Sequence, residues 1–252
     1  MKEVLILSVL QGVAEFLPIS SSGHLVLARR LLGLGEVGMR LDILLHVGTL
    51  LAVFAFYLSV IRRIIVNLEW SYLAKVVVSA VPAGLVGVLF KDELEAAFAS
   101  PRMVGVALMF TGIVLTVTRF VKRGDRDVSF LRALAMGVAQ AVAILPGVSR
   151  SGMTLAAAKA SGVGAEKSAE FSFLMSAPPI AGAALLEIMK AFGDGHAAAG
   201  EIPWGYCVIG ALVAAAVGYV SLKLLVKSLK GRWFWLFGVY CFAAGVTCLC
   251  LA

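Results

Sequence analysis

Charge is what this sequence has least of. Only 15% of its 252 residues are Asp, Glu, Lys or Arg, against about a quarter in soluble domains, which excludes an ordinary water-soluble fold. Cysteine is equally scarce. The four residues Cys207, Cys241, Cys248 and Cys250 lie in apolar stretches without the spacing of a metal or redox site, and are read as small buried side chains. No small-residue cleavage signal precedes Pro18, so the apolar start is read as mature structure and not as a removable leader. Acidic residues are few enough to leave a formal charge of +7. In a soluble protein that excess suggests nucleic acid; here the cations fall in loops between apolar segments, where they set membrane orientation, and no nucleic-acid partner is expected.

What remains is hydrocarbon. Hydrophobic residues make up 61% of the chain and the mean hydropathy is +0.97, the composition of an integral membrane protein. A helix needs about 20 apolar residues to cross a hydrocarbon core of about 30 Å. Six segments meet this: Leu41–Ile61, Tyr72–Phe90, Met103–Val121, Phe171–Met189, Trp204–Val226 and Trp233–Ala252. Glycines such as Gly84, Gly87, Gly105 and Gly112 are expected to let these helices pack closely.

The remaining apolar material is duplicated. Gln11–Gly35 and Gln140–Gly164 are one segment written twice, 129 positions apart, with nine of 25 aligned residues identical. Each copy holds two apolar stretches too short to span, Val4–Leu17 with Leu25–Leu34 and Phe130–Leu145 with Met153–Val163, separated by a Pro-Ser-Gly turn. Such pairs fit re-entrant hairpins, because non-helical backbone at membrane depth must be buried in protein or line a cavity. The expected fold is therefore all-α: six transmembrane helices plus two re-entrant helical hairpins, at 4–34 and 130–163. A hairpin plus three spans per half inverts the second copy. The single membrane domain, 1–252, then comprises two inverted repeats, 1–127 and 128–252, whose hairpin tips meet near the midplane. On this scheme fourteen loop Lys and Arg lie on one side and seven on the side of the termini. The positive-inside rule thus places both termini, and the opening of the first hairpin, outside the cytoplasm.

Chemistry is expected where the copies meet, and at that place they differ. The first has Glu15, Ser21 and His24; the second has Ile144, Arg150 and Met153. Ser20, Ser22 and Gly23, like Ser149, Ser151 and Gly152, stand where serines cap helices, so each tip offers free backbone N–H groups and the positive end of a dipole to a phosphate or carboxylate. Arg150 adds a fork suited to bidentate phosphate contact. Ser21 and His24 are three apart, close enough for an imidazole to act on the hydroxyl. Three roles are open to Glu15, which shares a helix face with Gln11: orienting His24, holding a divalent cation against the phosphates, or positioning water. Glu, His and Arg inside a membrane cost about 2.5 to 3.5 kcal/mol each at a helix centre on insertion scales, and so mark function. Asp42 with His46, and Glu170 with Ser172, stand between a supporting role and a plain helix end. Arg29 and Arg30 are read as flanking the outer mouth.

At these residues the sequence resembles the bacitracin-resistance family of undecaprenyl-diphosphate phosphatases. The likeness rests on QGVAE at Gln11–Glu15, a form of the family's E/Q-x-x-x-E segment, with the adjoining FLPISSSGH, and on PGVSRSG at Pro146–Gly152; it covers the whole chain. The resemblance implies six spanning helices and two re-entrant hairpins in a bacterial inner membrane. It implies hydrolysis of a C55 polyprenyl diphosphate to the monophosphate, recycling a lipid carrier for cell-wall synthesis, with Mg2+ or Ca2+ assisting. It places Glu15, Ser21, His24 and Arg150 on functional positions. Gln11 stands where many members have Glu, which weakens a two-carboxylate metal site. Ser21, His24 and water all stay open as nucleophile, as does homo-oligomer formation. A transporter of polyprenyl phosphate or a small anion is the rival reading, since broken helices and inverted repeats also build carriers.

Overall fold

A computed structural model describes residues 1–33, 39–98, 100–193, 202–231 and 233–251. Leu34, Gly35, Arg232 and Ala252 lie outside the described residues, as do the side chains of Glu187 and Lys190. The described chain is helical, with one isolated bridge between Arg126 and Val163. Twelve helices follow in order: α1 (Lys2–Ala14), α2 (Ser21–Leu31), α3 (Met39–Phe56), α4 (Leu58–Val66), α5 (Trp70–Leu89), α6 (Lys91–Phe98), α7 (Pro101–Val117), α8 (Phe130–Val142), α9 (Arg150–Ala160), α10 (Ala165–Gly193), α11 (Trp204–Lys230) and α12 (Leu236–Leu251).

Among the described residues three helices are long and apolar enough to cross a membrane: Trp70–Leu89, Pro101–Phe120 and Trp204–Lys230. A fourth is reached if α3 and α4, bent by 70° at Tyr57, count as one. The bend departs from the expected unbroken span Leu41–Ile61. No Pro or Gly marks it in FAFYLSV; Tyr57 is instead buried in the main core beside Ile64, Phe16 and Leu225, so tertiary packing makes the turn. The short helices behave as expected. At 13 and 11 residues, α1 and α2 reach only about 20 and 16 Å at 1.5 Å per residue, well short of a bilayer core. The pair α8 and α9, with 13 and 11 residues, has the same dimensions.

Packing is reciprocal between the halves. α1 lies along α11, α8 lies along α5, and α7 pairs with α12. In lipid, helices associate through close contact and not through exclusion of water, so small residues set the crossings. A Cβ on Gly112 of α7 would fall 2.7 Å from the Phe242 nitrogen and 2.8 Å from the Gly238 oxygen of α12. Gly105 meets Leu249 and Gly245 on the same seam. Gly84 and Gly87 do not follow this rule, since neither has a neighbour within 4 Å of its missing Cβ. Of the cysteines, Cys207, Cys241 and Cys248 are buried as expected while Cys250 is exposed. Large apolar side chains cover the outside, Val88 at 80% and Phe120 at 81% exposure among them, and Trp70 and Trp204 stand at helix starts, where membrane proteins place aromatic anchors.

Candidate anion-binding site between the two hairpin tips

The two broken segments reach each other. The Gly147 nitrogen donates to Ser22 Oγ at 3.4 Å, and Ser151 Oγ donates to the Leu17 carbonyl at 3.3 Å. Thr111 of α7 braces the second tip, accepting from the Ser149 nitrogen at 3.1 Å and donating to the Gly147 carbonyl at 3.4 Å. Both tips cap the helix that follows: Ser20 Oγ accepts from the Gly23 nitrogen at 3.3 Å and Ser149 Oγ from the Gly152 nitrogen at 3.1 Å. The turns differ in how they reach this geometry. In the second, Gly147 takes φ +92; in the first, Ser20 itself sits at φ 71. Positive φ is uncommon for a residue with a Cβ and clusters at functional turns.

Between the tips lies a cavity of about 620 Å³. Glu15, Ser21 and Ser22 line it from the first copy, and Ser149, Arg150 and Ser151 from the second. The Glu15 carboxylate forms part of its wall, with the side chain 5% exposed. Arg150 pairs with Oε1; Ser21 Oγ donates to Oε2 at 2.7 Å, and Gln11 Nε2 donates to the same oxygen at 3.1 Å. A buried carboxylate survives only when paired and hydrogen-bonded in this way. Arg150, 24% exposed, remains open to the cavity. The serine hydroxyl at this site is therefore polarised by a carboxylate, with a guanidinium beside it.

His24 is placed elsewhere. Its Nδ1–H donates to the Ser20 carbonyl at 2.8 Å, leaving Nε2 to accept from the Tyr240 hydroxyl at 2.7 Å. The two rings stack, 12° apart in plane with centroids at 5.6 Å. His24 is not among the cavity-lining residues, and the structure brings it neither to Ser21 nor to Glu15. Tyr240, its partner, gave no signal in the sequence beyond its place in an apolar helix. Among the described residues the imidazole that does face the cavity is His46 of α3. Its Nδ1–H donates to the Asp42 carbonyl at 2.8 Å, and Nε2 lies 3.9 Å from Glu15 Oε2. The Asp42-x-x-x-His46 spacing was the available signal. Asp42 also lines the cavity and pairs with Arg29. Glu170 and Ser172 stay outside it: Glu170 pairs with Arg63 at 3.3 Å and Ser172 with Thr154 at 2.6 Å.

The donor set is a poor fit to a metal held by the protein. A hard divalent cation takes six or more oxygens, usually with several carboxylates, whereas Glu15 is engaged by three donors and neutralised by Arg150. Gln11 Oε1, on the same helix as Glu15, is buried and without a partner. Among the described residues no group of three or more His, Cys, Asp or Glu side chains converges.

Apolar helices, two broken segments meeting tip to tip, and a serine-rich cavity between them that is lined by Glu15, Asp42 and Arg150 define an integral membrane protein with a polar site inside it. The particular family follows from comparison with known proteins. The model of the family described as bacitracin resistance protein BacA matches residues 4–247, and the chain belongs to that family. Relatives named undecaprenyl-diphosphatase include one from Halothermothrix orenii, 36% identical with 99% of this chain and 97% of the relative aligned. One from Carboxydothermus hydrogenoformans is 39% identical over 99% and 96%. One from Methanosphaera stadtmanae is 35% identical over 98% and 96%.

Proposed function

We propose that this chain hydrolyses undecaprenyl diphosphate to undecaprenyl phosphate and inorganic phosphate, recycling the lipid carrier of cell-wall synthesis and thereby conferring bacitracin resistance. The observation that carries the reading is the hydroxyl–carboxylate–guanidinium cluster at the cavity, Ser21, Glu15 and Arg150, in a chain of the family whose relatives bear the diphosphatase name. The diphosphate enters the cavity with its prenyl tail left in lipid. The N-termini of α2 and α9 and the Arg150 guanidinium hold the phosphoryl oxygens. Ser21 Oγ attacks the terminal phosphorus as its proton passes to Glu15 Oε2, and the bridging P–O bond breaks with its electron pair left on the lipid monophosphate. Water then attacks the phosphoserine, the serine oxygen recovers its proton, and inorganic phosphate departs. His24, locked between Ser20 and Tyr240, positions the first tip in this scheme. The Mg2+ or Ca2+ implied by the family enters as counter-ion of the diphosphate, and no step depends on a protein-held metal.

The same reading takes the architecture as six spanning helices and two re-entrant hairpins in inverted repeats 1–127 and 128–252. The reciprocal packing of α1 on α11 and α8 on α5 supports it. The excess of fourteen loop cations over seven supports a bacterial inner membrane location with the termini and cavity mouth on the extracytoplasmic side. An impermeant maleimide should therefore label a cysteine appended to the C-terminus of a Cys250→Ser variant in intact spheroplasts; labelling only after lysis refutes that orientation.

The decisive assay is phosphate release from a prenyl diphosphate by purified protein in detergent. Reciprocal hairpin packing also suits a carrier. A carrier without hydrolytic activity binds the lipid but releases no phosphate where no second compartment exists, so the assay separates the two readings.

A further inference from the structure

Gln140 is the counterpart of Gln11, and it has lost its partner. In the first copy Gln11 Nε2 donates to Glu15 four residues on. In the second, the residue four on is Ile144. Gln140 is 3% exposed, yet neither Nε2 nor Oε1 has a hydrogen-bond partner. A buried amide left unpaired forfeits the hydration of both its groups, and such orphans are rare enough in folded proteins to need a reason. A purely packing residue at this position would be better served by Met or Leu, of similar volume and without that cost. The reason lies in where the side chain stands: Gln140 lines the same cavity as Glu15, Ser21 and Arg150.

We propose that Gln140 is a ligand contact for the diphosphate. Its Nε2 donates to a phosphate oxygen, and its Oε1 accepts from a water that enters with the anion. The proposal rests on the reading that this cavity takes a prenyl diphosphate, and it deepens that reading by assigning a neutral donor to the second copy. A neutral amide suits this place, because a second carboxylate would repel the phosphates and compete with Glu15 for Arg150. The first copy thus uses its glutamine to steady the carboxylate, and the second holds its glutamine ready for substrate.

The test compares the full-length wild type with Gln140→Met and Gln140→Glu in detergent. Phosphate release from a short-chain prenyl diphosphate, inhibition by inorganic diphosphate, and the thermal unfolding midpoint are measured together. Losing a hydrogen bond to a charged group should raise the Michaelis constant and the inhibition constant of inorganic diphosphate about 10- to 100-fold in Gln140→Met. The midpoint should stay level or rise, because an unpaired polar group has been removed. Gln140→Glu should weaken the diphosphate further. Unchanged constants in Gln140→Met overturn the proposal, and so does a lowered midpoint or failure to fold, which makes the amide a structural element. If only the lipid substrate is affected and inorganic diphosphate is not, Gln140 senses the prenyl end and the phosphate contact is wrong. If wild type releases no phosphate, the hydrolysis reading fails by itself. Thermal protection of the wild type by inorganic diphosphate, lost in Gln140→Met, then still supports the contact, and equal protection of both overturns it.

Discussion

The first hairpin tip and the second share a backbone plan and differ in chemistry. Both end a short helix, turn, cap the next helix with a serine, and present its N-terminus to one cavity. The first then adds a carboxylate and a hydroxyl, Glu15 and Ser21, where the second has Ile144 and Arg150. On the proposed function, the two copies supply two helix ends facing one cavity, and their divergence makes one the reacting side and the other the charge-stabilising side. The pairing of Glu15 with Arg150 across the tips is the product of that divergence. Two identical carboxylate tips would repel, and two arginine tips would hold a phosphate without anything to attack it.

Breaking the first tip should have the largest effect. Ser21→Ala and Glu15→Gln should each lower turnover by about 100- to 10,000-fold, the range for loss of a positioned proton-transfer partner. The double variant should be little worse than the poorer single one, because the two act as a unit. His24→Gln should lie outside that unit: its effect on turnover should multiply with that of Ser21→Ala. Tyr240→Phe should cost about 0.5 to 1.5 kcal/mol of stability, one hydrogen bond's worth. Steady-state kinetics and thermal melts on the set decide; equal and non-additive loss in Ser21→Ala and His24→Gln would return His24 to the reacting group.

Breaking the second tip comes next. Arg150→Ala should lower turnover by about 100- to 1,000-fold, as for one preorganised donor aimed at developing charge. Arg150→Lys should recover only part of this, since it keeps the charge and loses the fork. The thermal midpoint of Arg150→Ala should also fall, because Glu15 is left buried and unpaired. A rise in the Michaelis constant with turnover intact would make Arg150 a ground-state binding residue and favour the carrier reading.

The smallest change sharpens the metal question. Gln11→Glu sets a second carboxylate beside Glu15 and should lower the Mg2+ concentration giving half-maximal rate, by creating a site the present residues do not form. Unchanged metal titration would show that the cation stays with the substrate's phosphates even when two carboxylates are offered.

Much of this was legible in the sequence because it follows from composition and local pattern. Scarcity of charge required a membrane protein, and the doubled Pro-Ser-Gly breaks located the two tips; the serines that cap α2 and α9 stand where N-cap chemistry puts them. Polar residues in an apolar chain picked out Glu15, His24 and Arg150 because lipid penalises each of them, and Ser21 through its spacing from His24; of the four, Glu15, Ser21 and Arg150 line the cavity. What the sequence did not carry is partnership across the fold. The His24 ring turns from Ser21 toward Tyr240, 216 positions away, because the Ser20 carbonyl and the tyrosine hydroxyl satisfy both of its nitrogens at once. The bend at Tyr57 has no breaker residue and comes from packing. His46 faces Glu15 only because α3 lies against α1. By itself the sequence determined the solvent this chain folds in and where its two duplicated segments break, since hydropathy and the backbone preferences of Pro, Ser and Gly are local properties. Which polar group meets which was decided by the tertiary structure alone, because a hydrogen bond depends on distance in space, and spacing along the chain sets that distance only within a helical turn or two.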